Sequence, residues 1–186
     1  RDGGYLNDWN FDKPLVRGLY RNLSRTGIDF IEIGFRNHQP ANKGIWCSTP
    51  EELVREICAG ISGVGVALLV DLGKVDLNMI PPAEESPVRL YRVACNKTQV
   101  AEAMALCDAI KAKGYLVSIN LMGIVNYTSQ ELAAAIAPIK TSSIDYVYFA
   151  DSYGSMFPYA VKDYIDALKQ TGKKIGFHAH NNLQLA

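Results

Sequence analysis

The chain has 186 residues, of which 48% are hydrophobic and 20% are charged, a composition typical of a globular protein with a buried core. Its 19 Lys and Arg residues balance 19 Asp and Glu residues without any basic stripe, so neither nucleic acid nor an anionic membrane is an expected partner. No apolar run reaches the length of a membrane span, and the 4 cysteines lack CxxC spacing. We therefore expect a reduced, cytoplasmic protein.

Six short apolar runs, rich in β-branched and aromatic residues, predict buried parallel strands. In chain order they cover residues 28–34, 64–71, 88–95, 115–121, 146–149 and 175–178.

Amphipathic stretches between these runs predict helices. They cover residues 12–27, 49–62, 96–114, 128–137 and 158–170. The second opens with a capping box at Thr49-Pro50-Glu51-Glu52. The third starts at Asn96 or Thr98, and the fourth starts at Thr128 or Ser129. Residues 74–85, which include Pro81-Pro82, predict a loop with a short helix.

Regular alternation of strands and helices predicts an α/β fold with a parallel sheet, either open and doubly wound or closed as a (β/α)8 barrel. No nucleotide-binding GxGxxG or GxxxxGK[ST] motif supports the open sheet. Polar residues collect where strands end, and that end of a barrel carries the active site. We therefore predict one domain over residues 1–186, a TIM (β/α)8 barrel that is incomplete in this chain because most of strand 1 and all of strand 8 are missing.

The last predicted strand carries two of the three histidines, in the stretch "FHAHNNLQLA". Because strand side chains alternate between faces, Gly176, His178 and His180 share one face, which we expect to be the interior. Two imidazoles so placed can bind one divalent ion, or they are simply polar residues near a chain end. A metal site also needs a carboxylate, and Asp2, just past the expected end of strand 1, could supply it.

Glu32 is predicted to point inward from the second strand, on the same face as Gly34 and Arg36. A carboxylate in such a place requires a cation. Arg1 and Arg36 are both candidates, and a simple Glu32–Arg36 pair remains the alternative.

Four stretches together resemble one known superfamily: "RDGG" at residues 1–4, "IEIGFR" at 31–36, "ADSYGSMFP" at 150–158 and "FHAHNNLQLA" at 177–186. In this order they are similar to the DRE-TIM metallolyases (the HMGL-like superfamily), and within it to the 4-hydroxy-2-oxovalerate aldolases. The resemblance covers nearly the whole chain.

The resemblance implies roles for individual residues. Asp2, His178 and His180 match the metal ligands, Arg1 matches the arginine that stabilises an enolate, and Glu32 matches the glutamate that holds this arginine. The implied cofactor is a divalent metal, Mn²⁺ or Mg²⁺ first and Zn²⁺ or Co²⁺ as alternatives, acting as a Lewis acid on a 2-oxo acid.

One position departs from the superfamily pattern, since Tyr5 stands where the synthases carry glutamine and the oxovalerate aldolases carry a histidine base. Tyr5 is a candidate acid/base, a substrate contact or a packing residue. Four further polar residues are candidate substrate contacts, with ion pairing or backbone hydrogen bonding as the alternatives: Arg36, Arg92, Asn120 and Ser152. Cys95 is interpreted as a packed thiol and Asp151 as a helix cap. His38 is interpreted as a solvated loop residue, with an acid/base role over the site as the alternative.

The predicted function is a divalent-metal-dependent aldolase or lyase acting on a 4-hydroxy-2-oxo acid through pyruvate enolate. One alternative is a Claisen-type acyl-CoA synthase, like the isopropylmalate and citramalate synthases. Another is a truncated, non-catalytic domain that pairs with a partner. Expected partners are a small 2-oxo acid substrate and either a second copy of the chain or a C-terminal segment that covers the open barrel edges.

Overall fold

Strands and helices alternate along the chain in the computed structural model, which describes residues 1–185. The strands are β1 Phe30–Phe35, β2 Gly65–Asp71, β3 Val88–Cys95, β4 Leu116–Leu121, β5 Tyr146–Ala150 and β6 Lys174–His178. The helices are α1 Lys13–Leu23, α2 Glu51–Cys58, α3 Val100–Ala112, α4 Ser129–Thr141 and α5 Pro158–Leu168. Every predicted strand and helix is therefore present. β3 has the predicted ends, and the other elements differ from the prediction at one or both ends.

The strands follow one another in chain order in the sheet. β1 pairs with β2, β4 with β5, and β5 with β6, all in parallel. Parallel neighbours joined through helices are the repeating unit of α/β folds, so this connectivity confirms the predicted parallel sheet.

The chain divides into two compact units. The first comprises Arg1–Arg92 with Ala112–Leu116, and its core includes Val54, Leu68 and Leu90. The second comprises Val93–Lys111 with the chain from Val117 onward, and its core includes Cys107, Ile119, Val147 and Phe149. Each unit buries its own apolar side chains. The predicted single domain stays a prediction.

Two helices end four residues earlier than the sequence predicted. α1 stops at Leu23 because the Ser24 and Thr26 hydroxyls donate to the carbonyls of Arg21 and Leu23, at 2.8 and 2.7 Å. α2 stops at Cys58, where the Arg17 guanidinium donates to the free carbonyls of Ile57 (3.0 Å) and Ala59 (2.7 Å).

Among the helix starts predicted from capping residues, the start of α4 is confirmed and the start of α2 is not. α4 begins after Thr128, one of the two predicted starts, and Thr128 forms a reciprocal capping box with Glu131. The capping box predicted at Thr49 is wrong, because Thr49 has a φ of 37° and donates its hydroxyl to the Trp46 carbonyl, 3.0 Å away. Pro50 takes the N-cap position of α2 without a side-chain hydrogen bond.

A β-bulge interrupts β1, since its pairing with β2 shifts register between Glu32 and Gly34. The extra residue, Ile33, reverses the alternation of faces beyond it. The prediction that Glu32, Gly34 and Arg36 share a face is therefore wrong. Phe35 takes that face beside Glu32, and Arg36 points toward α2.

None of the helices within residues 1–185 combines the length and the apolar character that crossing a bilayer requires.

Candidate active site

Glu32 holds two arginines at once in the first unit. Its Oε1 accepts a hydrogen bond from Arg1 Nε, and its Oε2 accepts one from Arg92 Nη1 at 2.8 Å. All three side chains are largely buried, with exposures of 14% for Glu32, 8% for Arg1 and 9% for Arg92. The bulge directly after Glu32 places Phe35 on the same face as this carboxylate. Of the two cations considered for Glu32, Arg1 is thus a partner and Arg36 is not.

Arg1 contacts a second carboxylate, since its Nη1 lies 2.5 Å from Asp2 Oδ1. Burial by itself would lower the pKa of the Arg1 guanidinium, but the carboxylates of Glu32 and Asp2 outweigh burial and raise that pKa. The guanidinium also lies over the Phe35 ring, 5.3 Å from its centroid. Arg1 is therefore a permanently charged group in a fixed position.

Trp9 anchors the segment that carries Arg1, Asp2 and Tyr5. The buried Trp9 ring packs edge-on against Phe35, with centroids 5.7 Å apart, and lies beneath the Nζ of Lys43 at 4.5 Å. The backbone of Gly44 lies close to the backbone of Trp9, and only glycine permits this, because a Cβ at Gly44 would overlap the Trp9 carbonyl. The loop after β1 thus fixes the segment before α1.

Tyr5 lies on the 3-10 helix Asp2–Leu6 and is 69% exposed. Its ring meets Trp9 edge-on at a centroid distance of 4.6 Å. The packing role that the sequence left open is therefore present, and a role as acid/base stays a prediction.

Arg36 is 2% exposed and donates from Nη2 to Glu51 Oε2 on α2, 2.7 Å away. Arg55, one turn further along α2, lies 3.7 Å from the other oxygen of Glu51. Arg36 is thus part of a buried ion pair between β1 and α2. A contact between Arg36 and substrate stays a prediction.

β4, β5 and β6 place side chains in shared rows in the second unit. Asn120, Tyr148 and Gly176 are register partners, and so are Ala150 and His178. A Cβ at Gly176 would overlap the Tyr148 ring, so glycine is required for that ring to lie where it does. The opposite face carries Phe177, whose ring lies 4.9 Å from the Phe149 ring.

This arrangement confirms the predicted face of His178. Phe149 in turn contacts Tyr164 of α5 at a centroid distance of 5.8 Å, so the face with Phe149 and Phe177 packs against the helix. His178 points to the other side, where Gly176 and Tyr148 lie.

His178 and His180 face one another. Their Nε2 atoms are 3.3 Å apart, and the two rings are perpendicular, with centroids 5.0 Å apart. β6 ends at His178, so His180 belongs to the following loop rather than to the strand. Two imidazole nitrogens at this separation have the spacing of two ligands on one metal ion, whose bonds of about 2.1 Å place neighbouring nitrogens roughly 3 Å apart.

The other candidates of the second unit lie at or just after the ends of β4 and β5. Ser152 Oγ accepts from the backbone N–H of Gly123 at 2.8 Å, and Asn120 is buried on β4. Asp151 accepts from the backbone N–H groups of Ser155 and Met156, both at 3.0 Å, in the loop before α5. The predicted helix-capping role of Asp151 is wrong, because the N-cap of α5 is Phe157, without a side-chain hydrogen bond. Substrate contacts by Asn120 and Ser152 stay predictions.

Cys95 is fully buried, and burial raises the pKa of its thiol to about 12. A neutral thiol is a poor nucleophile, so the packed-thiol interpretation is confirmed. His38 lies exposed in the loop after β1, as predicted.

The sequence model of one family, HMGL-like, matches residues 1–186. The chain belongs to the HMGL-like family. The superfamily resemblance read from the motifs is thereby confirmed.

HMGL-like relatives include the 4-hydroxy-2-oxovalerate aldolase 2 of Rhodococcus opacus (strain B4), 29% identical over 187 residues, which cover 98% of this chain and 54% of that protein. The oxaloacetate decarboxylase of Mycobacterium tuberculosis is 26% identical over 189 residues, which cover 100% of this chain and 56% of that protein. The chain therefore spans about half the length of the curated relatives it matches.

A solved structure resembles the whole chain. It is the N-terminal domain of a candidate aldolase from Bacteroides vulgatus, with a TM-score of 0.84 and 26% identity, covering 100% of this chain and 63% of that one. This likeness confirms the predicted fold class, a (β/α)8 barrel that is present in part.

Proposed function

We propose that the protein carrying this chain is a divalent-metal-dependent aldolase, a lyase that cleaves or forms the C3–C4 bond of a 4-hydroxy-2-oxo acid through pyruvate enolate. The observation that carries the proposal is the buried Arg1 guanidinium held by Glu32, in a family whose relatives include named aldolases. A fixed cation beside the reacting carbonyl stabilises the negative charge that develops on its oxygen.

Asp2, His178 and His180 are the proposed metal ligands, with Mn²⁺ or Mg²⁺ as the first choice of ion and Zn²⁺ or Co²⁺ as alternatives. The 3.3 Å separation of the two Nε2 atoms supports shared binding of one ion, and the donor set of two nitrogens and a carboxylate suits all four metals. When bound, the ion would supply Lewis-acid polarisation of the 2-oxo acid.

Arg1 is the proposed electrostatic catalyst, and Glu32 is the residue that orients it. Glu32 accepts from Nε of Arg1, so it does not occupy the terminal nitrogens Nη1 and Nη2 of the guanidinium. We assign these two nitrogens to the substrate. One of those nitrogens lies beside Asp2, so substrate binding would exchange that contact for a substrate oxygen.

Tyr5 is the proposed acid/base for the C4 hydroxyl proton. Its exposure allows a substrate to reach it, and its contact with Trp9 holds the ring in place. Asn120 and Ser152 are the proposed hydrogen-bonding contacts for substrate oxygens, on the basis of their positions on β4 and just after β5.

A second candidate is decarboxylation of a 2-oxo diacid, which the oxaloacetate decarboxylase relative favours. Both reactions break the C3–C4 bond and leave the same pyruvate enolate. They differ at the leaving group, because an aldehyde leaves only after the C4 hydroxyl loses its proton, whereas carbon dioxide leaves without that step. Only the aldolase reaction needs a base such as Tyr5.

The test is a substrate comparison with Mn²⁺ present. We expect pyruvate and an aldehyde to form from a 4-hydroxy-2-oxo acid, and Tyr5→Phe to slow this reaction. Faster pyruvate formation from oxaloacetate, unaffected by Tyr5→Phe, would favour the decarboxylase. If neither substrate yields pyruvate, but acetyl-CoA releases its thiol in the presence of a 2-oxo acid, a Claisen-type synthase is favoured.

A further inference from the structure

The contacts of Arg92 point to a role that differs from the substrate contact predicted for it. Arg92 Nη1 donates to Glu32 Oε2 at 2.8 Å, while Glu32 Oε1 accepts from Arg1. Both oxygens of one buried carboxylate thus have a cationic donor. Arg92 and Arg1 are therefore coupled through Glu32.

We propose that Arg92 is a positioning residue that keeps Arg1 available as a cation for an anionic transition state. The inference rests on the proposed function of Arg1. Arg92 binds one oxygen of Glu32 and compensates part of the negative charge of that carboxylate. Glu32 can then hold Arg1 through its other oxygen without cancelling the positive charge of Arg1.

Formal charges support this role. Arg1 and Glu32 together are neutral, and Arg92 gives the three buried groups a net charge of +1. Without Arg92 an approaching 2-oxo acid, itself an anion, would meet an arginine already neutralised by Glu32, at a buried place where charges are weakly screened.

Geometry supports the same role. A carboxylate that accepts from a single donor can rotate about its terminal torsion, which has broad minima. With donors on both oxygens, Glu32 is held at two points, and its Oε1 stays directed at Arg1 Nε. Partners of this kind, one step removed from the reacting groups, typically change activity about 10–100-fold when they are removed.

The test compares oxalate, a dianion that resembles pyruvate enolate, with pyruvate, using calorimetry in the presence of Mn²⁺ on the whole protein. Arg92→Met removes the charge at similar side-chain length, and Arg92→Lys keeps the charge and one donor. Arg89→Met, an exposed arginine of the same strand, makes the same change of formal charge and serves as the control.

We expect Arg92→Met to weaken oxalate binding about tenfold or more and pyruvate binding less than threefold, and to lower kcat more than it raises KM. Arg92→Lys should restore much of the oxalate affinity, and Arg89→Met should bind both ligands as the parent does. Folded fraction is measured by circular dichroism, and affinities are expressed per folded molecule.

Two results would overturn the inference. Equal losses of oxalate and pyruvate affinity in Arg92→Met would mean that Arg92 grips the substrate carboxylate directly. Unchanged oxalate affinity would mean that Arg92 only supports the fold. A parent protein that binds neither ligand would instead contradict the proposed function of the site as a whole.

Discussion

The Nε2 atoms of His178 and His180 lie 3.3 Å apart, with their rings perpendicular. If this pair binds a metal ion, His178→Ala should weaken Mn²⁺ binding at least about 100-fold, because loss of a direct ligand exceeds the 10–100-fold effect of losing a ligand's neighbour. Calorimetric titration with Mn²⁺ measures this change.

The remaining histidine, His38, provides the matched control, since it lies exposed in a loop of the first unit. His38→Ala is expected to bind Mn²⁺ as the parent does. Asp2→Asn should weaken binding as His178→Ala does, whereas Asp8→Asn, an exposed acid of the same segment, should not. Parent-like affinity in both His178→Ala and Asp2→Asn would show that the ion binds elsewhere.

The sequence predicted the strand that carries His178 and the face to which it points, because alternation in an uninterrupted strand is a local property. It did not predict the partner of Arg36. The bulge at Ile33 comes from the pairing of β1 with β2, and the one local signal of it, Gly34 within the strand pattern, was not used in the prediction of the faces. The sequence predicted Glu51 only as a residue of a helix start, whereas the structure shows that it is also the ion-pair partner of Arg36.

The same reasoning accounts for Arg92 and Thr49. From the sequence alone, an arginine at a strand end can bind either a substrate carboxylate or an acidic side chain of another strand. The fold decides between them for Arg92, because it places Glu32 within ion-pair distance. Thr49 fits the capping pattern by residue type, but its hydroxyl bonds to the preceding turn at Trp46. Local patterns thus determined the elements, and contacts between distant residues determined the site's partners.

Glu51→Gln should lower the free energy of unfolding by about 3–5 kcal/mol, because it leaves the buried Arg36 guanidinium without its counter-charge. Glu52→Gln changes the exposed neighbouring residue in the same turn of α2 and should leave stability within about 0.5 kcal/mol of the parent. Urea unfolding measures both. Similar stabilities for the two variants would mean that the Arg36–Glu51 pair contributes little.

Gly176→Ala should destabilise the protein by about 1–3 kcal/mol, because the added Cβ would overlap the Tyr148 ring. Gly18→Ala, at a position in α1 where a Cβ would meet no atom within 4 Å, should raise stability by roughly 0.5–1 kcal/mol through helix propensity. Thermal unfolding of the two variants should therefore shift in opposite directions. A stable Gly176→Ala protein would show that Tyr148 can move without loss.

Native protein should resist thiol labelling at Cys95. Burial raises the pKa of the Cys95 thiol to about 12, so that at pH 8 the reactive thiolate is about 1,000-fold scarcer than for a thiol of pKa 9. Iodoacetamide followed by peptide mass spectrometry should find Cys95 modified in urea and unmodified in its absence, with the partly exposed Cys58 labelled first. Rapid native labelling of Cys95 would contradict its burial.

The metal-dependent aldolase proposal is tested most directly by the rate of pyruvate release from a 4-hydroxy-2-oxo acid before and after removal of metal from the whole protein. We predict that chelator treatment abolishes pyruvate release, that added Mn²⁺ restores it in the parent protein, and that Mn²⁺ fails to restore it in His178→Ala. Pyruvate release that persists in the chelator-treated protein would contradict the proposal.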